Sequence, residues 1–171
     1  FRRVLFRSGN YNPSVLTALD ASEVPESWAD LAQRSYLNGM MRVDAAAVAD
    51  EMTRRAMEGE TSQMSQFANQ FVQQDPAAAH AWLETVPDGA PFDQAVSGLA
   101  QAMGNTDPAY VFEWLQLTSP ESRSDPSHYR RTLQNWSQFD YEGAREAVAN
   151  SSLEEALQER LLAELERMNA R

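Results

Sequence analysis

The amino-acid sequence predicts an all-α fold, a right-handed α-solenoid of about five antiparallel helix-pair repeats. The main observation is a helix-opening residue that recurs at intervals of 32, 31, 32 and 33 residues, at Asn12, Asp44, Asp75, Asp107 and Asp140. A constant period in this range is typical of stacked helical units. The second observation is an apolar helix face that recurs at fixed distances on either side of these positions. We therefore expect one copy to begin near each of residues 12, 44, 75, 107 and 140.

The first helix of each copy, helix A, is predicted from its cap and from one apolar face. The side chain of Asp or Asn accepts hydrogen bonds from the unpaired amides of the first helical turn. Pro suits the next position because its missing amide hydrogen is not needed there, and it stands at Pro13, Pro76 and Pro108. At 4, 7 and 8 residues after the cap the side chains are mainly apolar, as in Ala79, Trp82 and Leu83. Asp20 and Glu51 interrupt this face in the first two copies.

A second amphipathic helix, helix B, is predicted before every cap after the first. The position four residues before the cap is occupied by Met or an aromatic residue, at Met40, Phe71, Met103 and Trp136. Turns rich in Pro, Gly and acidic residues separate helix A from helix B. The longest of them, Thr118 to Ser127, is predicted to be irregular, either a contact loop or a site that tolerates insertion. The final helix is expected to start with a capping box over residues 152–155.

Composition restricts the classes of function. The chain has no Cys and no Lys, so thiol chemistry, disulfides and Lys-dependent catalysis are excluded. The net charge of −11 argues against nucleic acid and anionic membranes as partners but allows a basic protein or peptide. The apolar runs are too short for a membrane-spanning helix. The absence of Lys and Ile, whose codons are A/T-rich, indicates a GC-rich bacterial genome. The sequence does not decide between a periplasmic and a cytoplasmic location.

The segment from Phe1 to Ser8 has no counterpart in the repeats. Its residues 5–8 read as a translation of the end of a widely used DNA-sequencing adapter, and the chain does not begin with Met. We expect residues 1–8 to be a non-native, adapter-like segment of a metagenomic assembly, and residues 9–171 to form a single α-helical repeat domain. The alternative is a natural basic N-terminal segment.

No catalytic motif is recognisable in the sequence. The two histidines, His80 and His128, lie in different repeats without the three or four ligands of a zinc site. The chain has neither the glycine-rich loops that bind nucleotides nor the nucleophile elbow of the hydrolases. We therefore expect no catalytic residue, no cofactor and no metal, and we read His80 as an ordinary surface side chain.

The aromatic residues are the candidates for partner contact. Recurring positions at helical spacing usually form the core between helices, and this applies to Phe71, Trp82, Trp114 and Trp136. The alternative is an aromatic row that lines a groove for a peptide or glycan. Trp28, Phe92 and Phe112 lie outside or beside the repeated positions. These three are predicted to be the exposed residues that contact a partner.

With the caps and Trp positions in view, residues 12–171 resemble the Asp-Pro, Ala-rich, Trp-containing helical repeats found in many bacterial proteins of unknown function. They are more distantly similar to tetratricopeptide repeats, although Trp82-Leu83 and Trp114-Leu115 lack the Gly-x-x-Tyr that follows in that signature. The resemblance implies an extended surface that binds peptide segments, and it transfers no functional residue.

Two functions from different classes remain open at this stage. The first is a non-enzymatic helical-repeat scaffold that mediates protein–protein interaction. The alternative is an accessory repeat segment of a larger envelope protein or enzyme whose other domain lies outside this chain.

Overall fold

The computed structural model of the chain describes residues 12, 14, 15, 18, 25–124 and 127–170. The described residues form α-helices and turns, and none of them lies in a β-strand, as the sequence predicts. The adapter-like residues 1–8 and the acidic interruption at Asp20 lie outside the described residues. None of the described helices combines the length and the apolar composition that crossing a bilayer requires.

Ten helices are bounded in the described part of the chain, and we number them in order: α1 Glu26–Met40, α2 Ala45–Met57, α3 Met64–Gln74, α4 Pro76–Leu83, α5 Ala90–Met103, α6 Pro108–Leu115, α7 Pro120–Ser124, α8 Ser127–Ser137, α9 Tyr141–Ala149 and α10 Glu155–Asn169. The chain divides into two compact units, Phe1–Gln63 and Met64–Arg171. The first contains α1 and α2, and the second contains α3 to α10. The single repeat domain expected over residues 9–171 stays a prediction.

The four Asp residues spaced at the repeat period cap the amino ends of the A helices, as predicted. In each, Oδ1 accepts a hydrogen bond of 2.9 to 3.1 Å from the amide three residues later, at Asp44, Asp75, Asp107 and Asp140. The amide of each cap donates to the carbonyl oxygen four residues earlier, in the preceding helix B. One residue therefore ends helix B and starts helix A, which explains why both apolar faces keep a fixed distance from it.

Removing one cap should therefore cost stability. We expect Asp44→Ala to lower the free energy of unfolding by about 1 kcal/mol, because the amide of Ala47 loses its acceptor. Asp50→Ala is the matched control, since Asp50 is exposed within the same helix and Ala is the better helix former. Urea denaturation followed by circular dichroism compares the two variants. An equal loss in both would contradict the capping role.

In the first unit, α1 packs against α2 and a buried ion pair accompanies the apolar contacts. Glu51, the predicted interruption of the apolar face, is only 6% exposed. Its Oε1 accepts hydrogen bonds from Nη2 of Arg54 at 2.7 Å and Nε of Arg55 at 2.8 Å. Arg55 is equally buried, and its Nη1 donates to Oε1 of Gln33 in α1 at 3.0 Å. Glu51 is thus accommodated in the buried face by two cations rather than by solvent.

In the second unit, each B-type helix packs against the next. Helix α3 contacts α5, α5 contacts α8, and α8 contacts α10. The A-type helices pack against the same set, since α4 contacts α3 and α5, α6 contacts α5 and α8, and α9 contacts α8 and α10. The backbones of α3 and α5 approach closely at Gly98, whose carbonyl oxygen accepts a hydrogen bond from Nδ2 of Asn69 at 3.4 Å. This order of contacts positions helices α4 and α6, which carry the candidate site.

Polar side chains fix α8 to the helices around it. The buried Tyr129 donates from its hydroxyl to the carbonyl oxygen of Leu115 at 2.6 Å, and burial raises the pKa of Tyr129 to about 12. Arg130 donates from Nε and Nη2 to the two carboxylate oxygens of Glu164 in α10, each over 3.0 Å. These hydrogen bonds outweigh the effect of burial and lower the pKa of Glu164. Helix α8 is therefore held by neutral and charged hydrogen bonds on two sides.

The longest turn is not irregular throughout, because it contains α7. Ser119 directly precedes this helix, and its Oγ accepts a hydrogen bond from the amide of Ser122 at 3.2 Å. Asp93 of α5 holds Ser119 in place, since its Oδ1 accepts the Ser119 amide at 2.9 Å. The prediction of an irregular loop is therefore wrong for Pro120–Ser124. The Asp125-Pro126 pair in the same turn lies outside the described residues.

The predicted capping box before the last helix does not form. Helix α10 starts at Glu155, and its N-cap, Glu154, makes no side-chain hydrogen bond to the first turn. Ser152 instead donates its amide to Oε1 of Gln116 at 3.1 Å. Gln158 donates from Nε2 to the carbonyl oxygen of Ser151 at 2.7 Å, which ties the preceding turn to the helix by a different route.

Candidate functional site

The three aromatic residues predicted to contact a partner lie in different environments. Trp28, in α1, is 71% exposed. Phe92 and Phe112 are 7% and 1% exposed, so the expectation that they are surface residues is wrong. The ring of Phe92 packs 6.0 Å from that of Trp114, and Phe112 packs 6.0 Å from Tyr129. Both belong to the core because their helices turn these positions towards neighbouring helices of the second unit.

Three of the four recurring aromatic residues are buried as their spacing predicts, and the fourth, Trp136, is half-buried. Trp82, Trp114 and Phe71 are buried. Trp82 meets Phe67 edge-on with ring centroids 4.9 Å apart, and it lies 6.0 Å from Phe71. Such tilted and edge-on contacts are the favoured geometries for aromatic pairs. These side chains therefore stabilise the second unit and leave little surface for a glycan or peptide.

A different cluster brings together chemically active side chains at the surface of the second unit. Nδ1 of His80 in α4 lies 2.7 Å from the hydroxyl oxygen of Tyr110 in α6. The His80 ring stands edge-on to Trp114, with centroids 5.3 Å apart. On the other side of the imidazole, Nε2 is 3.7 Å from Oε1 of Glu84, the residue at the carboxyl-terminal cap of α4. A carboxylate, an imidazole and a phenol thus follow one another across two successive A helices.

Three carboxylates influence the charge state of this phenol. Burial raises the pKa of Tyr110, and the negative charges of Asp107, Glu113 and Glu84 raise it further, with the indole of Trp114 acting in the opposite direction. The phenol is therefore protonated at neutral pH. When it donates to Nδ1 of His80, the imidazole proton sits on Nε2 and faces Glu84. The protonated phenol can donate one hydrogen bond and accept others.

We call this cluster the acidic aromatic surface and define it by His80, Glu84, Asp107, Tyr110 and Glu113. It is open to solvent, since His80 is 48% and Glu84 66% exposed. Exposed carboxylates beside ring faces attract guanidinium and ammonium groups, through charge and through cation–π contact. In the described part of the chain, no three His, Asp or Glu side chains are arranged to hold a metal ion.

Sequence reasoning missed this surface for a definable reason. The sequence alone predicts that His80 is an ordinary surface side chain, although Glu84 stands four residues later, at the end of the same helix. Tyr110 is thirty residues away and occupies a different position relative to its cap: third after Asp107, whereas His80 is fifth after Asp75. The available signal was the period itself, since one repeat length brings residues of neighbouring A helices together.

Known proteins give no assignment for this chain. No family model matches it, and neither a curated protein nor a solved structure resembles it significantly.

Proposed function

We propose that the protein is a non-enzymatic helical-repeat scaffold that binds a basic segment of another protein on its acidic aromatic surface. The observation that carries the proposal is the pair of contacts at His80, whose Nδ1 lies 2.7 Å from the Tyr110 hydroxyl and whose Nε2 lies 3.7 Å from the exposed carboxylate of Glu84. The acidic side chains of Asp107 and Glu113 lie at the cap and within α6. These groups attract Arg and Lys side chains, and the Tyr110 and His80 rings offer faces on which a guanidinium can stack. The net charge of −11 adds long-range attraction for a basic partner.

The same proposal includes the finer architecture. We propose that the repeats of the second unit form a right-handed α-solenoid similar to tetratricopeptide repeats. The support is the regular order of helix contacts, in which α3, α5, α8 and α10 pack in succession. In such an array the A helices of consecutive repeats lie side by side and create an extended surface. The His80–Tyr110 hydrogen bond, which joins α4 and α6, supports this arrangement because it links the A helices of two consecutive repeats.

Binding of a short Arg-Ala repeat peptide, measured by fluorescence anisotropy at low and high salt, tests the proposed function. We expect saturable binding that weakens with salt, and no binding of the matched Glu-Ala peptide. The double variant Glu84→Gln/Glu113→Gln should bind several-fold more weakly, because each exposed charge pair contributes about 0.2–1 kcal/mol.

The matched control removes two charges elsewhere. Glu155 and Glu159 are exposed in α10, so Glu155→Gln/Glu159→Gln removes the same number of negative charges without touching the acidic aromatic surface. This control should bind the Arg-Ala peptide nearly as well as the unchanged protein. An equal loss in the two double variants would show attraction to net charge alone and would overturn the assignment of the site. Absence of saturable binding would overturn the proposed function.

A further inference from the structure

A pocket lined by two Arg residues, in contrast to the acidic aromatic surface, lies between α7 and the amino end of α10. It has a volume of about 240 Å³ and opens to solvent on one side. Its walls combine three apolar side chains, two guanidinium groups and one carboxylate, from Pro120, Arg123, Glu154, Ala156, Leu157 and Arg160. The pocket is separate from the acidic aromatic surface, because the two have no residue in common.

The charge of this pocket is unusual for the chain. The sequence holds 25 acidic against 14 basic residues, yet two of the basic residues line one small cavity. Within the described ranges, neither Arg123 nor Arg160 takes part in a salt bridge. A guanidinium presents its donors in a planar fork that matches the two oxygens of a carboxylate. Two such groups at one cavity indicate an anionic ligand.

The start of α10 adds to the positive potential. Ala156 and Leu157, both in its first turn, line the cavity. The amides of a first helical turn carry partial positive charge, and no side chain caps those of α10. Two acidic side chains oppose this effect: Glu154 lines the cavity, and Glu155 lies in the first turn of α10. The residues that line the cavity carry two positive charges and one negative charge. A singly charged anion is therefore favoured over a multiply charged one.

We propose that this pocket binds a small organic monocarboxylate. The carboxylate would contact Arg123 and Arg160, and the body of the ligand would lie against Pro120, Ala156 and Leu157. The volume is below the range of about 300–1,000 Å³ that holds drug-sized ligands, so the body is short. This site is independent of the acidic aromatic surface, so either can fail alone.

Benzoate is the probe, with benzamide as the uncharged molecule of the same shape. Nuclear magnetic resonance titration of the full chain should show saturable binding of benzoate in the low millimolar range and no saturable binding of benzamide. Arg160→Gln and Arg123→Gln should each weaken benzoate binding by about tenfold, as expected for a hydrogen bond to a charged group. Arg167→Gln is the matched control, since Arg167 lies on the same helix and bonds within it to the carbonyl oxygen of Ala163.

A second variant tests the cavity without changing its charge. Ala156→Trp, at an exposed position in the first turn, should fill the cavity and abolish benzoate binding while circular dichroism stays unchanged. Equal affinity for benzoate and benzamide would overturn the proposal, as would equal losses in Arg160→Gln and Arg167→Gln. Tighter binding of inorganic phosphate than of benzoate at neutral pH would overturn the assignment to a monocarboxylate.

Discussion

Gly98→Ala is expected to lower the free energy of unfolding of the second unit by about 2–3 kcal/mol, near the upper end for overpacked cores. A Cβ atom on Gly98 would overlap the carbonyl oxygen of Ser65 and lie 2.8 Å from Cβ of Ala68. The obstacle in α3 is backbone rather than the end of a flexible side chain, so it cannot yield locally. Helices α3 and α5 would have to move apart, which opens the contact that joins them.

Gly39→Ala is the matched control for this prediction. Gly39 is also inside a helix, α1, but no atom lies within 4 Å of the Cβ that the substitution adds. Ala is the better helix former, so this variant should gain up to about 1 kcal/mol. Urea denaturation followed by circular dichroism compares the two. A gain in both variants would show that α3 and α5 can separate at no cost.

The comparison of these two glycines shows what sequence can and cannot predict. The caps are predictable because the Asp side chain bonds to its own first turn, a contact that spans only four consecutive residues. The apolar faces are predictable because helical spacing fixes them. The role of Gly98 depends on a residue 33 positions earlier, Ser65, and on the distance between two helix axes. Nothing in the local sequence around Gly98 distinguishes it from Gly39.

The candidate sites were less predictable than the fold for the same reason. Phe92 and Phe112 lie beside the repeated core positions, yet their helices direct them into the core. Tyr110 gains its significance from His80 in another helix and from Glu84 beside that histidine. The pocket near Arg160 depends on α7, a short helix within a segment whose composition predicts a turn. Contacts between repeats are set by how helices cross, which the period alone does not specify.

Glu51→Gln is expected to lower the free energy of unfolding of the first unit by about 3 kcal/mol. Removing one partner of a buried ion pair costs about 3–5 kcal/mol, because the remaining charge loses its compensation. Here the remaining charge is Arg55, whose side chain is 6% exposed and donates from Nε to Glu51. Arg55 keeps one further carboxylate, the 62% exposed Glu60, 3.2 Å from its Nη1, which reduces the loss. Gln keeps an oxygen that can accept one hydrogen bond, so we expect the lower end of the range. Glu58→Gln is the control, since Glu58 bonds to Arg54 but is 57% exposed and should contribute less than about 1 kcal/mol.

The dependence on pH separates the charge of Glu51 from its packing. Burial raises the pKa of Glu51, but the hydrogen bonds from Arg54 and Arg55 outweigh it and hold the pKa below the ordinary value of 4.5. A carboxyl group with a lowered pKa stabilises the folded state fully above pH 4.5, and this contribution is lost as the pH falls through its folded-state pKa. Gln does not titrate, so Glu51→Gln lacks that loss and its unfolding curve should approach that of the unchanged protein in acid. A difference that stayed constant from neutral to acid pH would mean that shape at this position, rather than charge, stabilises the unit.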